Sequence, residues 1–155
     1  MIRGKQFMVI IGIILLSFCL QQALYCHCQV PCGIYDDQMR IKMIAEHITT
    51  IEKAMNQVIT LSKEAKPNYN QLARWVFNKE KHAEDLSGII TYYFMAQRIK
   101  IPEIGTDRPA YQVQLELLHH LLVLNMKAKQ TTDISLIGQM RKILEKFEEL
   151  YFKKK

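Results

Sequence analysis

Ile41-Lys42-Met43-Ile44-Ala45-Glu46-His47-Ile48-Thr49-Thr50-Ile51-Glu52-Lys53-Ala54-Met55-Asn56-Gln57-Val58 is the stretch that decides the fold. Ile41, Ile44, Ile48, Ile51, Met55 and Val58 recur at spacings of three and four, the period of an amphipathic helix. The pattern predicts a helix from about Asp37 to Ala65. Asp36 or Asp37 can cap its start, and Lys66-Pro67-Asn68 ends it.

Three further segments carry the same period. The second runs from about Tyr69 to Arg98, with Leu72, Val76, Ala83, Leu86, Ile90 and Tyr93 on one stripe. Pro102, Gly105 and Pro109 mark a loop, and Thr106 or Asp107 can cap a third helix that ends near Lys129. Its expected stripe is Leu115, Leu118, Leu122 and Met126. Leu117, Leu121, Val123 and Leu124 extend the apolar surface, so this helix should be central or buried against another subunit. A fourth helix starts at Asp133 and presents Ile137, Met140, Leu144, Phe147 and Tyr151. Strand-like alternation and internal repeats are absent from the sequence. Short connections between amphipathic helices make antiparallel neighbours. The expectation is an all-α fold, an antiparallel up-down four-helix bundle over residues 36–152 with a basic tail at 153–155.

Upstream, Met1 to Gln6 is basic, Phe7 to Leu20 is an unbroken apolar run, and Gln21-Gln22 ends it. This is the layout of a signal peptide, and the run is short for a membrane span. Cleavage before His27 puts Cys26 at −1 and Leu24 at −3, while Ala23 offers a competing site. An uncleaved N-terminal anchor is the alternative. With residues 1–26 removed from the 155, the remaining 129 make one domain able to bury a core. The expected location is secreted or periplasmic, with membrane contact only during export. Two of the 21 Lys and Arg lie in the leader, so the remainder carries +4 against its 15 acids. That mild charge can help attract a small anion. It is concentrated in the Lys153-Lys154-Lys155 tail, and no basic face interleaved with aromatics suggests nucleic acid.

Between leader and bundle lies His27-Cys28-Gln29-Val30-Pro31-Cys32-Gly33-Ile34-Tyr35. Cleavage before His27 would give six residues carrying an amine, an imidazole, two thiols and a backbone amide. Thiolates and deprotonated nitrogens in a plane suit Ni(II) or Cu(II) better than tetrahedral Zn(II). The plainer reading is a small disulfide loop. A Cys28–Cys32 bond would close little chain and add little stability. Pro31 fixes a bend between the two sulfurs, and Gly33 lets the chain leave a tight turn.

The run resembles the nickel hook of nickel superoxide dismutases, which reads H-C-x-x-P-C-G-x-Y at the mature N-terminus. His27, Cys28, Pro31, Cys32, Gly33 and Tyr35 match every fixed position, and the helical pattern extends the likeness to about Tyr151. The resemblance implies a 27–35 hook that binds one nickel ion per chain through His27, Cys28 and Cys32. The planar donors would be the His27 amine, the Cys28 amide nitrogen and thiolate, and the Cys32 thiolate, with the His27 ring axial. It implies disproportionation of superoxide to dioxygen and hydrogen peroxide by Ni(II)/Ni(III) cycling, in a homohexamer. Tyr35 would stand over the open metal face as the catalytic side chain, or pack the hook down, or both.

In that family a carboxylate early in the first helix holds the axial ring, backed by an arginine from another helix. Here those positions fall at Lys42 or Met43 and near His82, so Glu46 and His82 are the candidate replacements. Glu116-x-x-His119 is half of a di-iron bundle motif with no second copy, so His119 and His120 read as packing or interface residues, and His47 as a surface one. No Ser/His/Asp set, Gly-rich phosphate loop or nucleotide fingerprint is present. The alternative function is a non-enzymatic secreted bundle whose N-terminal loop binds copper or zinc, or closes as a disulfide.

Overall fold

The computed structural model describes residues 31–102 and 108–153. The leader, His27, Cys28 and the candidate caps Thr106 and Asp107 lie outside the described residues. Helix α1 spans Asp37–Ser62, α2 Tyr69–Gly88, α3 Arg108–Gln130 and α4 Ser135–Lys153. A π-helical segment, Ile89–Arg98, continues α2. The hairpin α1–α2 packs on the hairpin α3–α4, with α1 against α4 and α2 against α3, as an up-down bundle requires. No described helix is long and apolar enough to cross a membrane.

Asp36 caps α1: its extended backbone lets the carboxylate accept the Met39 N–H at 2.9 Å. Asn68 does the same for α2 through Gln71. Asp133 receives the Ser135 N–H in the turn that opens α4. Ile41, Ile44, Ile48, Ile51 and Met55 of α1 are buried, as are Ile137, Met140, Leu144, Phe147 and Tyr151 of α4. Phe94 of the π segment sits edge-on to both Phe147 and Tyr151 and joins the two hairpins.

Three expectations shift. The buried face of α3 is Gln114, Leu118, Leu121, Leu124, Asn125 and Ala128, while Met126 is exposed. Apolar residues on several sides of this helix leave its phase ambiguous, and a polar residue settles it. The Asn125 amide donates to the Ala83 carbonyl at 2.7 Å and to Ser87 Oγ at 2.9 Å. In α2, Val76 is exposed together with Tyr69 and Phe77, Leu72 and Trp75 are half-buried, and full burial begins at Lys79. Lys79 is itself buried, and its ammonium donates to the carbonyls of Lys129 and Thr131 at the end of α3. Burial lowers its pKa from the ordinary lysine range, against the pull of Glu80.

The third shift is the π segment, where a regular helix to Arg98 was expected. Thr91 Oγ1 donates to the Ser87 carbonyl at 2.8 Å. At the far end the Ile99 N–H reaches back five residues to Phe94 O. The wider turn rephases the last side chains, and π turns recur at functional sites.

Candidate metal hook and its cleft

Pro31, Cys32 and Gly33 form a turn closed by the Ile34 N–H donating to Pro31 O at 2.9 Å. Gly33, third in this turn, has φ +82°, which glycine adopts without a Cβ penalty. A Cβ placed there would meet no atom within 4 Å, so the backbone angle alone demands glycine. Gly33→Ala should therefore cost about 1–2 kcal/mol of turn stability. We expect that as an order-of-magnitude weaker nickel affinity with an unchanged urea midpoint for the bundle. Cys32, inside the turn, is a free and exposed thiol.

Tyr35 ties the turn to the bundle. The Arg98 guanidinium lies 4.2 Å from the Tyr35 ring centroid, and the Tyr93 ring meets it edge-on at 5.9 Å. Its hydroxyl donates to Gln97 Oε1 at 3.4 Å. All three contacts come from the π segment.

Beneath Arg98 lies a group that the sequence reading treated only as a possible cap. Asp37 is buried, and Arg98 grips it with two parallel bonds, Nε to Oδ1 at 2.7 Å and Nη2 to Oδ2 at 2.9 Å. Tyr93 and Tyr151 donate their hydroxyls to the same carboxylate at 2.7 and 3.0 Å. One side chain thus joins α1, the π segment and α4 under the hook. Burial, and then the Asp37 hydrogen bond, push the Tyr93 hydroxyl well above the usual tyrosine range. The Asp37 hydrogen bond likewise raises Arg98. The available signal was the pair Asp36-Asp37: one acid can cap a helix, and the second then needs another partner.

An open cleft of about 550 Å³ runs from Pro31 between α1 and the α2–π continuation. Arg40, Met43 and His47 line one wall, and Glu84, Asp85, Gly88, Ile89, Tyr92 and Tyr93 the other. Arg40 sits 5.1 Å from the Tyr93 ring centroid, and its buried Nε has no hydrogen-bond partner. The guanidinium puts a positive charge on the α1 wall of the cleft, opposite the carboxylates of Glu84 and Asp85 on the other wall.

His47 was expected on a helix surface. It is half-buried, and its Nδ1 lies 2.8 Å from Nδ1 of His82. Burial, and then the His82 ring, hold His47 below the ordinary histidine range, against the opposite pull of Asp85 and Glu46. So His82 meets His47. Glu46 is exposed on the flank of α1 and lines a shallow hollow with Ala45, Thr49 and Thr50. Glu116, His119 and His120 are exposed on α3.

The residues present fit nickel. A free thiol stands in a glycine turn, an aromatic clamp holds that turn, and the sequence just before it carries a second cysteine and a histidine, side chains of the type that bind nickel. Neither the curated proteins nor the solved structures contain a match to this chain. A family model described as nickel-containing superoxide dismutase matches residues 22–155. That match spans residues 27–35 and all four helices. The chain therefore belongs to the nickel-containing superoxide dismutases, oxidoreductases that act on superoxide with one nickel per chain.

Proposed function

We propose that the working form of this chain begins at His27 and disproportionates superoxide with a nickel ion held by His27, Cys28 and Cys32. The family match over residues 22–155 carries this reading. When bound, nickel supplies a one-electron couple, by which two superoxide ions and two protons become dioxygen and hydrogen peroxide. The protein's part is placement. Cys28 and Cys32 would supply the thiolates, the second from the turn at Pro31 to Gly33. The new His27 amine and its ring complete the donor set. Tyr35, held between Arg98, Tyr93 and Gln97, covers the hook and orders small anions beside it.

The same reading takes residues 1–26 as a removed export signal, hence a secreted or periplasmic enzyme, and residues 36–152 as the bundle. Self-association as a homohexamer is in keeping with the large apolar side chains that α2 leaves exposed, Tyr69, Val76 and Phe77.

The test is processing. A peptide bond before His27 removes its basic amine from the ligand set. The full chain should therefore hold little nickel and lack activity, while protein starting at His27 should hold one nickel per chain and consume superoxide. Metal analysis, mass spectrometry of the N-terminus and activity read this together. Equal activity in the two forms would overturn the proposal.

A further inference from the structure

We infer that His47, His82 and Asp85 form a second metal site, distinct from the hook, for a divalent cation of borderline softness such as Zn2+. His82 and Asp85 stand three residues apart on α2, so they share one face. His47 faces them from α1 across the helix hairpin. One donor atom from each of the three lies within 4.8 Å of the others, and all three side chains are half-buried.

The imidazole pair is the informative part. Its ring centroids are 5.1 Å apart at a tilt of 53°, and the Nδ1 atoms face each other at 2.8 Å. Two N–H groups cannot point at one another at that distance. At most one of these nitrogens carries a proton, and the other offers a lone pair to it. A divalent ion can replace that shared proton. With Zn–N bonds of about 2.0–2.1 Å, tetrahedral donors stand about 3.3 Å apart. The two rings need to part by only about half an ångström. The Asp85 carboxylate, now paired with Lys81, supplies the third donor by turning inward. Two imidazoles, a carboxylate and water suit Zn2+ or Ni2+, and the set lacks the sulfur that distinguishes the hook.

The supporting scaffold is stiff. Ile44 and Ile48 flank His47 along α1, and Ala83 and Leu86 flank His82 and Asp85; all four have no exposed surface. Ligands on packed helices hold their geometry better than ligands on loops. His47 and Asp85 line the same cleft as Pro31, so an ion here would share the space through which the hook is reached.

The test separates the two sites. A protein starting at His27 and carrying His27→Gln, Cys28→Ser and Cys32→Ser is titrated with Zn2+ alone by calorimetry. One equivalent should bind. Adding His82→Asn should weaken binding by more than the about 10–100-fold typical of losing an outer partner. Circular dichroism checks that the fold survives. If that fourth change unfolds the chain, histidine ring nitrogen NMR on the triple variant decides instead: the His47 and His82 resonances should both move with one equivalent of Zn2+. The site is overturned if no saturable equivalent binds, if His82→Asn leaves uptake unchanged, or if only the exposed His119 and His120 respond. A failure of the hook reading shows elsewhere, in the nickel content and activity of the unaltered protein.

Discussion

Cys28→Ser and Cys32→Ser should each reduce superoxide consumption to background while leaving helical content and the urea midpoint nearly unchanged. The argument is positional. Among the described residues, every buried apolar side chain lies between Ile41 and Tyr151, downstream of both thiols in sequence. Cys32 is exposed and unbonded to another cysteine, so exchanging its sulfur for oxygen removes no packing. Surface changes of that kind typically alter stability by no more than about 0.5 kcal/mol. The chemistry is not so tolerant. A serine hydroxyl remains protonated at neutral pH and is a hard donor, so it cannot replace a thiolate on nickel. Circular dichroism and urea unfolding read the first half, and metal content with activity the second. A large loss of helix in either variant would point instead to a structural clip, in which metal or disulfide carries folding energy.

Two helices were legible because most of their apolar residues share one face, with exposed Met39 of α1 an exception. In α1 and α4, nearly every position marked by the three-and-four spacing is buried. For α3 the same rule caught buried Leu118 and the partly buried Leu115 and Leu122 but also took in exposed Met126, because apolar residues flank the buried face on both sides. The deciding residue there is Asn125, whose bonds to Ala83 and Ser87 depend on a neighbour that periodicity does not reveal. The π segment was also hidden. Hydrophobic spacing carries no signature of it, and neither does its threonine: Thr91 bonds the carbonyl four residues back as Thr49, Thr50 and Thr60 do in the regular α1. The candidate hook could be proposed from sequence because its donor residues are packed into nine consecutive positions, of which Pro31 to Tyr35 are among the described residues. The cleft was not legible, since Arg40, His47, His82 and Asp85 come together only through helix pairing, and His47 and His82 are 35 residues apart.

Asp37→Ala should destabilise the bundle by about 3–5 kcal/mol, the usual consequence of removing one partner from a buried ion pair. The Asp37 side chain is 7% exposed and that of Arg98 18%, so water offers the stranded guanidinium little relief. Tyr93 and Tyr151 lose their acceptor in the same step, and their hydroxyls sit in buried residues. Asp37→Asn should cost less, because the amide oxygen still accepts, though it no longer balances the Arg98 charge. The contrast between the two variants isolates charge from shape. The effect should also travel. Arg98 is held under Tyr35 by the bidentate grip of Asp37, so a released guanidinium takes one of the three described contacts from Tyr35 and leaves those with Tyr93 and Gln97. Nickel affinity of the His27-start protein should therefore fall in Asp37→Asn, where the fold survives. Arg98→Met tests the same link from the other end, since it removes the cation over Tyr35 while keeping much of the side-chain volume. Urea midpoints and nickel titrations measure the two effects separately. A loss below about 1 kcal/mol for Asp37→Ala, the range of exposed pairs, would mean that solvent reaches this carboxylate. The hook would then rest on Tyr35 packing alone. The Cys and Asp37 variants thus make opposite demands. The thiols should matter to chemistry and not to folding. Asp37 should matter to folding first and reach the chemistry only through the aromatic clamp that it anchors.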